Sequence, residues 1–415
     1  MRHTRVIVWV LVVMLALVTG SFATAQDPVE ITLQGWSSNP TEDAALQAAV
    51  DAFMEANPNI DVTIQYSPDH ATTMQAAFAA TSDNVKPPEV FFVNSDKFSD
   101  WASAGVLAPA EENIEDVEGI FPSLLNVFTY QGTLYCPPKD FSTLALLYNR
   151  DLFDAAGVEY PTADWTWDDL RAASEALTTT NDAGEQVVGV VLPAELPRWL
   201  PFLYQAGGAP FSEDMSATTI NSPEAQEALD FYVNLRLDGF GAEPSAVDSG
   251  WGGEAFGNQR AAMALEGNWA ISFLNETYPD LNWGIAELPA GSGGEGTMAF
   301  TVCLGVAADN DHLEESWALV NWLTGPEGAM TVAEEGFGPM PARMDAAERW
   351  IEVRGEDYQP FVAGAENAFP WVLPPGFQEF ADNFNSSIQQ AFDGQLFPED
   401  VLTSSEEVAN EIYAR

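Results

Sequence analysis

A set of tryptophans stands where the sequence predicts the ends of helices and strands, or loops rich in Gly, Pro and polar residues. Two others, Trp317 and Trp322, fall inside a predicted helix and are expected in the core. An indole outside a regular element either packs locally or forms the wall of a cleft, and the sequence leaves both interpretations open. A flat aromatic wall suits the apolar C–H face of a sugar ring, whose hydroxyl rim needs carboxylates and amides. The tryptophans of this set are Trp36, Trp199, Trp251, Trp269 and Trp371.

No pattern for catalysis or metal binding accompanies these tryptophans. The glycine-rich segment at 290–296 lacks the Lys-Ser/Thr pair that a phosphate-binding loop needs. The three histidines are scattered along the chain, which argues against a zinc site and a histidine-based triad. Carboxylate pairs such as Asp168/Asp169 are expected on solvated faces, because the chain has 63 acidic residues. We therefore predict no catalytic residue, no metal and no cofactor.

The charge of the chain is strongly negative, with 63 Asp and Glu against 14 Lys and Arg and a net charge of −49. Such a surface repels nucleic acid and anionic lipid head groups, so we expect both to be poor partners and predict that the protein binds no nucleic acid. With 47% hydrophobic and 12% aromatic residues, the composition nevertheless indicates a packed globule and not a disordered chain. We hypothesise an adaptation to salty or otherwise unusual surroundings, where salt screens the self-repulsion.

The first 25 residues have the pattern of a secretory signal peptide. Arg2 and Arg5 precede an apolar run at 6–18, and the letters ATA at 23–25 fit the small-x-small cleavage motif. The apolar run is too short to span a bilayer. We predict cleavage near Ala25 and an exported, soluble protein that is periplasmic or extracellular.

The residues after the signal alternate between strand and helix patterns. VEITLQGW and PEVFFVN have strand patterns. In the segment between them we expect a helix that has Thr41 as its N-cap. This alternation predicts an α/β fold with a largely parallel sheet. Ligands bind such sheets at the carboxyl ends of strands, where Trp36 and the segment 94–96 fall.

Two later segments carry clear start and stop signals. Ser222 and Pro223 are the expected cap and first turn of an amphipathic helix. AAMALEG at 261–267 has the composition of a helix, and Gly267 is expected to end it. Trp269 would then stand just beyond the helix end.

Several soft motifs, in a fixed order, carry a family resemblance. They are AFMEANPNIDVTIQ, PEVFFVNSDKFSDWASAGVLAPA, GTLYCPPKDFSTLALLYNRDLFDAAGV followed by TADWTWDDL, AFGNQRAAMALEGNWAI, ESWALVNWLTGPEGA and GFGPMPAR. The ordered set resembles the solute-binding proteins of ABC importers, especially the large carbohydrate-binding branch that includes maltose-binding protein. The likeness covers nearly the whole chain after the signal.

This resemblance implies a two-lobed, type II periplasmic-binding-protein fold in which strands crossing between two α/β lobes form a hinge. Lobe one would comprise residues 26–138 plus 304–341, and lobe two residues 139–303 plus 342–415. The function implied is capture of a carbohydrate, either a sugar or a polyol, and its delivery to the membrane permease of an ABC transporter. We expect a monomer that performs no catalysis.

The two cysteines, Cys136 and Cys303, would lie on strands near this hinge. An exported chain allows a disulfide between them. Because equal distance from the crossing does not make two residues face each other, we favour two unpaired, buried cysteines.

The resemblance also implies ligand contacts at particular positions. Asp96, with Lys97 beside it, matches a carboxylate that lobe one presents to sugar hydroxyls, and Trp269 matches a stacking tryptophan of lobe two. Trp371 lies near a further stacking position, to which Ala381 is the closer match. For each charged candidate, a solvated or hinge-capping role stays open. The candidate ligand-binding residues are Trp36, Glu42, Asp96, Asp140, Glu195, Trp199, Trp251, Trp269, Arg343 and Trp371.

Two alternatives remain at this point. The same fold would accommodate another solute, such as a glycerol-phosphate compound, a polyamine or a peptide. A secreted glycoside hydrolase would use two of the carboxylates, and it would turn an oligosaccharide over instead of binding it stoichiometrically.

Overall fold

The computed structural model describes residues 28–80, 82, 86–110 and 112–415. The predicted signal peptide, residues 1–25, lies outside the described residues. Within these ranges, no helix has the length and apolar character needed to cross a membrane.

Strands and helices alternate over most of the described chain. The strands are β1 (Val29–Gly35), β2 (Ile60–Tyr66), β3 (Val90–Asn94), β4 (Thr129–Tyr130), β5 (Thr133–Leu134), β6 (Pro138–Asn149), β7 (Thr179–Thr180), β8 (Gln186–Val191), β9 (Gly241–Ala242), β10 (Ala261–Gly267), β11 (Trp283–Ala286), β12 (Thr297–Val306), β13 (Met340–Pro341) and β14 (Ala368–Pro370). The helices are α1 (Pro40–Ala56), α2 (His70–Ala80), α3 (Ser95–Ser103), α4 (Pro122–Val127), α5 (Arg150–Ala156), α6 (Trp167–Leu177), α7 (Leu196–Gln205), α8 (Pro223–Leu237), α9 (Gly252–Gly257), α10 (Ala270–Thr277), α11 (Leu313–Thr324), α12 (Pro326–Glu334), α13 (Met344–Arg354), α14 (Gln359–Gly364), α15 (Gln378–Phe392) and α16 (Pro398–Tyr413).

Local sequence signals explain where the main helices begin. The Ser222 side chain accepts a hydrogen bond from the backbone of Ala225, with Pro223 in the first turn of α8, as predicted. For α1 the prediction of Thr41 as N-cap is wrong, because the side chain of Asn39 accepts from Glu42 N. Pro40 then occupies the first turn, where its missing N–H costs nothing.

In the first lobe, three neighbouring strands of the sheet run parallel. β1 lies between β2 and β3 and runs parallel to both, while β12 runs antiparallel to β3. The apolar face of α1 is buried against this layer. The buried apolar residues of α1 are Ala45, Leu46, Ala49, Val50 and Phe53.

The second lobe is built around β10. This strand pairs antiparallel with the second half of β6 and parallel with β8, and β11 pairs with the end of β6. Helices such as α6, α7 and α8 contribute to a large apolar core beside it.

Two long strands, β6 and β12, run from one lobe into the other. The first half of β6 pairs with β12 and with β13, whereas its second half pairs with β10 and β11. The two-lobed α/β architecture with crossing strands is therefore confirmed. The residue bounds of the two lobes stay a prediction.

Residues 261–267 form the strand β10, so the helix predicted there is wrong. All seven residues are buried. Ala262, Met263 and Leu265 face one apolar core, whereas Ala261 and Ala264 face another. A strand buried on both faces has no polar alternation, so its sequence resembles that of a buried helix segment.

Cys136 and Cys303 form a disulfide, with their Cα atoms 5.6 Å apart. Our preference for two unpaired cysteines is therefore wrong. Cys303 lies opposite Pro138 in the antiparallel β12–β6 ladder, which brings the chain just before β6 alongside β12. The two cysteines are 167 residues apart in sequence, and only this strand pairing places them together.

Candidate functional site

A cavity of about 450 Å³ lies between the two lobes. This volume is within the range of small-molecule sites, about 300–1,000 Å³. Its lining comes from the end of β1, the start of α1, the crossing strands and the segments around β10 and β13. The aromatic side chains that line it are Trp36, Tyr66, Phe92, Trp251, Trp269, Phe273, Phe300 and Phe337. The charged side chains that line it are Glu42, Asp43, Lys139 and Asp140.

Trp36 follows directly after β1 and forms part of the first lobe's wall. Its ring centroid lies 5.0 Å from that of Phe92 and 5.5 Å from that of His70, both in edge-on geometry. The His70 ring is itself held by a 2.8 Å hydrogen bond between Nε2 and the carbonyl oxygen of Phe92. These contacts fix the indole at the carboxyl end of the strand, which is where ligands bind such sheets.

Glu42 lies in the first turn of α1 and is only 3% exposed. Its Oε1 is buried without a hydrogen-bond partner among the described residues. Burial raises the pKa of Glu42, against the opposing effects of the Ser38 and Asn39 side chains and of the Lys139 charge. A buried acceptor without a partner is costly, so this oxygen is suited to accept a hydrogen bond from a bound ligand.

The loop between α12 and β13 closes over Glu42 from the other side. A Cβ atom on Gly338 would lie 2.5 Å from Glu42 Oε1, so the lack of a side chain lets the backbone lie against this carboxylate. Asn268, at the end of β10, donates from Nδ2 to the carbonyl oxygen of Gly338 at 3.2 Å. Ser272 adds a 3.3 Å hydrogen bond to Gly336 O. The loop thus carries Phe337 and Pro339 to the cavity while it is bonded to the second lobe.

Lys139 and Asp140 form an ion pair at the start of β6. The Lys139 Nζ also lies 4.6 Å from the ring centroid of Phe92 and 4.8 Å from that of Phe337. Burial raises the pKa of Asp140, and the Lys139 charge opposes that rise. The pair therefore places one carboxylate and one cation in the cavity, with each already compensating the other.

Trp269 forms the opposite wall of the cavity, two residues after the end of β10. Its Nε1 donates to Glu266 Oε2 at 3.2 Å, and its ring meets that of Phe300 edge-on at 5.2 Å. A Cβ atom on Gly267 would lie 2.2 Å from the indole, so the glycine is needed for the ring to lie against the strand end.

Trp251 and Phe273 complete the aromatic wall of the second lobe. Their ring centroids are 4.9 Å apart, with an angle of 58° between the planes. Gly253 in α9 allows this arrangement, because a Cβ atom there would lie 2.2 Å from the Trp251 ring.

The predicted site residues divide between the cavity and other places. Those that line the cavity are Trp36, Glu42, Asp140, Trp251 and Trp269. Those that do not are Asp96, Glu195, Trp199, Arg343 and Trp371.

Of the predicted site residues, the two tryptophans that lie outside the cavity pack within the second lobe. Trp199 lies in the middle of α7, fully buried, and stacks on Phe384 with centroids 4.8 Å apart. This placement corrects the expectation that it stands at an element end. Trp371 is half-buried against the same core, and its backbone N–H donates to the carbonyl oxygen of Ala299.

The three charged residues outside the cavity have structural partners or face solvent. Arg343 is 4% exposed and pairs with Asp116 at 2.9 Å and with Asp345 at 3.1 Å. Asp96, in the first turn of α3, pairs with Lys97 at 3.2 Å. Glu195 is the exposed residue that precedes α7.

Sequence reasoning missed several residues of the cavity. Phe92, Phe300 and Phe337 lie in or beside segments with ordinary core patterns, so no local signal separates them from packing residues. Lys139 is one of few lysines in the chain and precedes a predicted site residue, a signal that was available in the sequence.

Contacts also join the two lobes outside the cavity. Thr41 in α1 is hydrogen-bonded to Glu276 in α10, and Lys97 in α3 to Gln378 in α15. The backbone N–H of Gly376 donates to Asp100 Oδ1 at 2.6 Å. Lobes that touch in this way enclose the cavity between them.

The described part of the chain contains no group of three or more His, Cys, Asp or Glu side chains placed to hold a metal ion. Aromatic faces provide stacking surfaces, and Glu42 and Asp140 provide acceptors for hydroxyl or amine donors.

Three known proteins are similar to this chain, two in structure and one in sequence. An ABC substrate-binding protein of Listeria monocytogenes, solved in complex with cycloalternan, superposes with a TM-score of 0.84 at 29% identity, covering 94% of this chain and 100% of that one. A solute-binding protein of an ABC transporter from Thermotoga lettingae, bound with α-D-tagatose, gives a TM-score of 0.81 at 24% identity, covering 94% of this chain and 100% of that one. The maltotriose-binding protein of Pyrococcus abyssi is 23% identical over 299 residues, which are 69% of this chain and 60% of that protein.

A family model gives the wider assignment. The model described as bacterial extracellular solute-binding protein matches residues 37–330, which include both crossing strands and most of the residues that line the cavity. The similar structures have the two-lobed, type II architecture that the resemblance implied. The chain belongs to the bacterial extracellular solute-binding protein family.

Proposed function

We propose that this protein captures a carbohydrate, a sugar or a polyol, between its two lobes outside the cytoplasmic membrane and delivers it to an ABC transporter permease. The observation that carries the proposal is the cavity itself, where Trp36 and Trp269 stand on opposite walls with Glu42 and Asp140 between the lobes. Aromatic walls with a few aimed carboxylates suit a ring that has apolar faces and a hydroxyl rim. The ligands named for the similar proteins support the same class of solute.

In this proposal each lining residue has a role. Trp36, Trp251 and Trp269 stack on or enclose the sugar rings. Glu42 and Asp140 accept hydrogen bonds from hydroxyls, and closure of the lobes about the crossing strands removes the ligand from water. Affinity in the micromolar range corresponds to about 8 kcal/mol, which a few stacked rings and charge-assisted hydrogen bonds are able to supply.

The charges in the cavity argue against an anionic solute. Lys139 is the only basic side chain among the described lining residues, and Asp140 already neutralises it. A buried phosphate would need more positive partners than this pair offers. A glycerol-phosphate compound is therefore disfavoured as the solute. The charges do not argue against a polyamine or a peptide, and the binding screen described below includes both.

We also propose that the protein acts as a monomer without catalysis, and that it is exported after removal of a signal peptide near Ala25. The lobes would comprise 26–138 plus 304–341 and 139–303 plus 342–415. Incubation with maltotriose, followed by chromatography of the sugar, tests the absence of catalysis. Release of shorter sugars at a rate above that of a buffer control would instead favour a glycoside hydrolase.

A thermal-shift screen followed by calorimetry tests the carbohydrate assignment. The screen includes mono- and oligosaccharides, polyols, polyamines and peptides, and we expect a sugar or polyol to raise the melting temperature and bind at one site. Stabilisation by a polyamine or a peptide, with no response to any sugar, would overturn the proposal.

Paired variants test the position of the site. Trp269→Ala should weaken binding by about tenfold or more, because a wall of the cavity is lost. Trp371→Ala, which removes an indole outside the cavity, is the matched control and should leave the affinity nearly unchanged. The reverse pattern would show that the sugar binds elsewhere.

A further inference from the structure

Arg198 and Glu266 lie behind the indole of Trp269. Arg198, in α7, donates from an Nη atom to Glu266 Oε2 at 3.0 Å, and the same carboxylate oxygen accepts from Trp269 Nε1 at 3.2 Å. The guanidinium carbon of Arg198 also lies 5.2 Å from the Trp269 ring centroid and 5.7 Å from that of Phe300. One cation therefore contacts both aromatic side chains and the carboxylate that holds the indole N–H.

This arrangement is enclosed by the protein. The Glu266 side chain is 1% exposed and that of Arg198 is 14% exposed. A Cβ atom on Gly252 would lie 2.4 Å from Glu266 Oε1, so the start of α9 closes directly over the carboxylate. Neither Arg198 nor Glu266 lines the cavity, whereas Trp269 and Phe300 do.

A buried carboxylate needs a neighbouring cation, and this ion pair also binds the N–H group of the Trp269 indole. Burial raises the pKa of Glu266, and the charge of Arg198 opposes this rise. The ionised carboxylate is a stronger acceptor for the indole N–H than a neutral group. Because the N–H is bonded to Glu266, Trp269 has only its ring face to offer a ligand.

We infer that Arg198 and Glu266 are positioning residues that fix the Trp269 indole in its orientation before a ligand enters, so that ring stacking requires no further ordering of this side chain. A tryptophan that is already fixed loses less conformational entropy on binding. The inference rests on the proposed function for its effect on affinity, but the fixed orientation is a property of the ligand-free protein.

The first test examines the ligand-free protein. Glu266→Gln retains the size of the side chain and an acceptor oxygen but loses the charge that binds Arg198. The contribution of Trp269 to the near-ultraviolet circular dichroism is defined as the difference between the spectra of wild type and Trp269→Phe. We expect Glu266→Gln to lose this contribution. We also expect acrylamide to quench the tryptophan fluorescence of Glu266→Gln more strongly than that of wild type. An unchanged Trp269 spectrum would overturn the inference, whatever the ligand.

The second test is a double-variant cycle with maltotriose as the probe, measured by calorimetry. Glu266→Gln should weaken binding by about fivefold or more in the wild-type background and by less than about twofold in the Trp269→Phe background, where the indole N–H is absent. An equal loss in both backgrounds would mean that Glu266 acts by another route and would contradict the inference. If neither maltotriose nor any other sugar binds wild type, the proposed function fails, while the ligand-free spectra still decide the positioning role.

Two further variants separate positioning from general stability. Asp345→Asn also breaks a contact of a buried arginine, Arg343, but outside the cavity, so it should lower the melting temperature without changing the Trp269 spectrum. Arg198→Lys retains the cation and serves if Glu266→Gln does not fold. We expect it to retain part of the Trp269 signal, because an ammonium group reaches the carboxylate but lacks the planar guanidinium.

Discussion

Lys139 and Asp140 form a buried ion pair at the start of β6, the strand that runs between the two lobes. The Lys139 ammonium also lies between the rings of Phe92, in the first lobe, and Phe337, in the loop that is bonded to the second. The side chains are 12% and 7% exposed, so both charges are largely removed from water. One lysine thus connects the hinge, the cavity and an aromatic residue on each side.

The first prediction concerns this pair. Lys139→Met should lower the free energy of unfolding by about 3–5 kcal/mol, because it leaves the Asp140 carboxylate buried without its cation. The measurement is denaturant unfolding at pH 7. The double variant Lys139→Met/Asp140→Asn should recover most of the loss, since no buried charge then remains. A single-variant effect of 0.5 kcal/mol or less, typical of surface substitutions, would contradict the prediction.

The sequence predicted the fold well where local signals act. The strand pattern of residues 29–35 and the cap at Ser222 are decided by neighbours in the chain, and both are found as expected. The strand at 261–267 was missed because burial on both faces removes the polar alternation that distinguishes strand from helix.

Less of the candidate site was accessible from sequence. Trp199 and Trp269 both looked like indoles at element ends, yet one is stacked in the core and the other lines the cavity. In the sequence, Phe300 has the pattern of an ordinary strand residue. It reaches the cavity only because β12 crosses between the lobes. Such distinctions depend on which surfaces the two lobes turn toward each other, and long-range packing decides this.

The disulfide gives the second prediction. Cys136→Ser/Cys303→Ser should lower the free energy of unfolding by about 2–5 kcal/mol, because the crosslink closes a long loop that includes most of the second lobe. Denaturant unfolding of the double variant measures the change, and wild type treated with reductant under the same conditions should give a similar value. Equal stability of oxidised and reduced wild type would show that the bond has no net effect on folding.

The third prediction follows from the net charge of −49. The melting temperature should rise by several degrees between 10 and 300 mM NaCl and then level off, because the Debye length falls from about 30 Å to below about 10 Å over this range. Sucrose at matched osmolality is the control for solute effects unrelated to charge. A melting temperature that stays constant or falls with NaCl would remove the support for adaptation to salt.

The fourth prediction concerns Glu42, whose pKa burial raises above its ordinary value of 4.5. A carboxyl group with a higher pKa in the folded than in the unfolded chain binds its proton more tightly when folded. Its contribution to the free energy of unfolding therefore falls as the pH rises from the unfolded value through the folded one. Glu42→Gln removes this dependence, so the variant should be more stable than wild type at pH 7, and the advantage should shrink as the pH falls through the raised pKa of folded Glu42 towards 4.5.

The same substitution should weaken ligand binding by about tenfold or more, because it removes a charged acceptor whose Oε1 has no hydrogen-bond partner among the described residues. Glu314→Gln, at an exposed position in α11, removes the same charge and controls for the change in net charge. Unfolding curves from pH 3.5 to 8, with calorimetry at pH 7, separate the two effects. Parallel pH profiles for wild type and Glu42→Gln would show that Glu42 does not titrate differently on folding. Unchanged affinity would show that its unpartnered oxygen is not used by the ligand, because a stabilising substitution that leaves binding intact is the behaviour of a buried structural carboxylate.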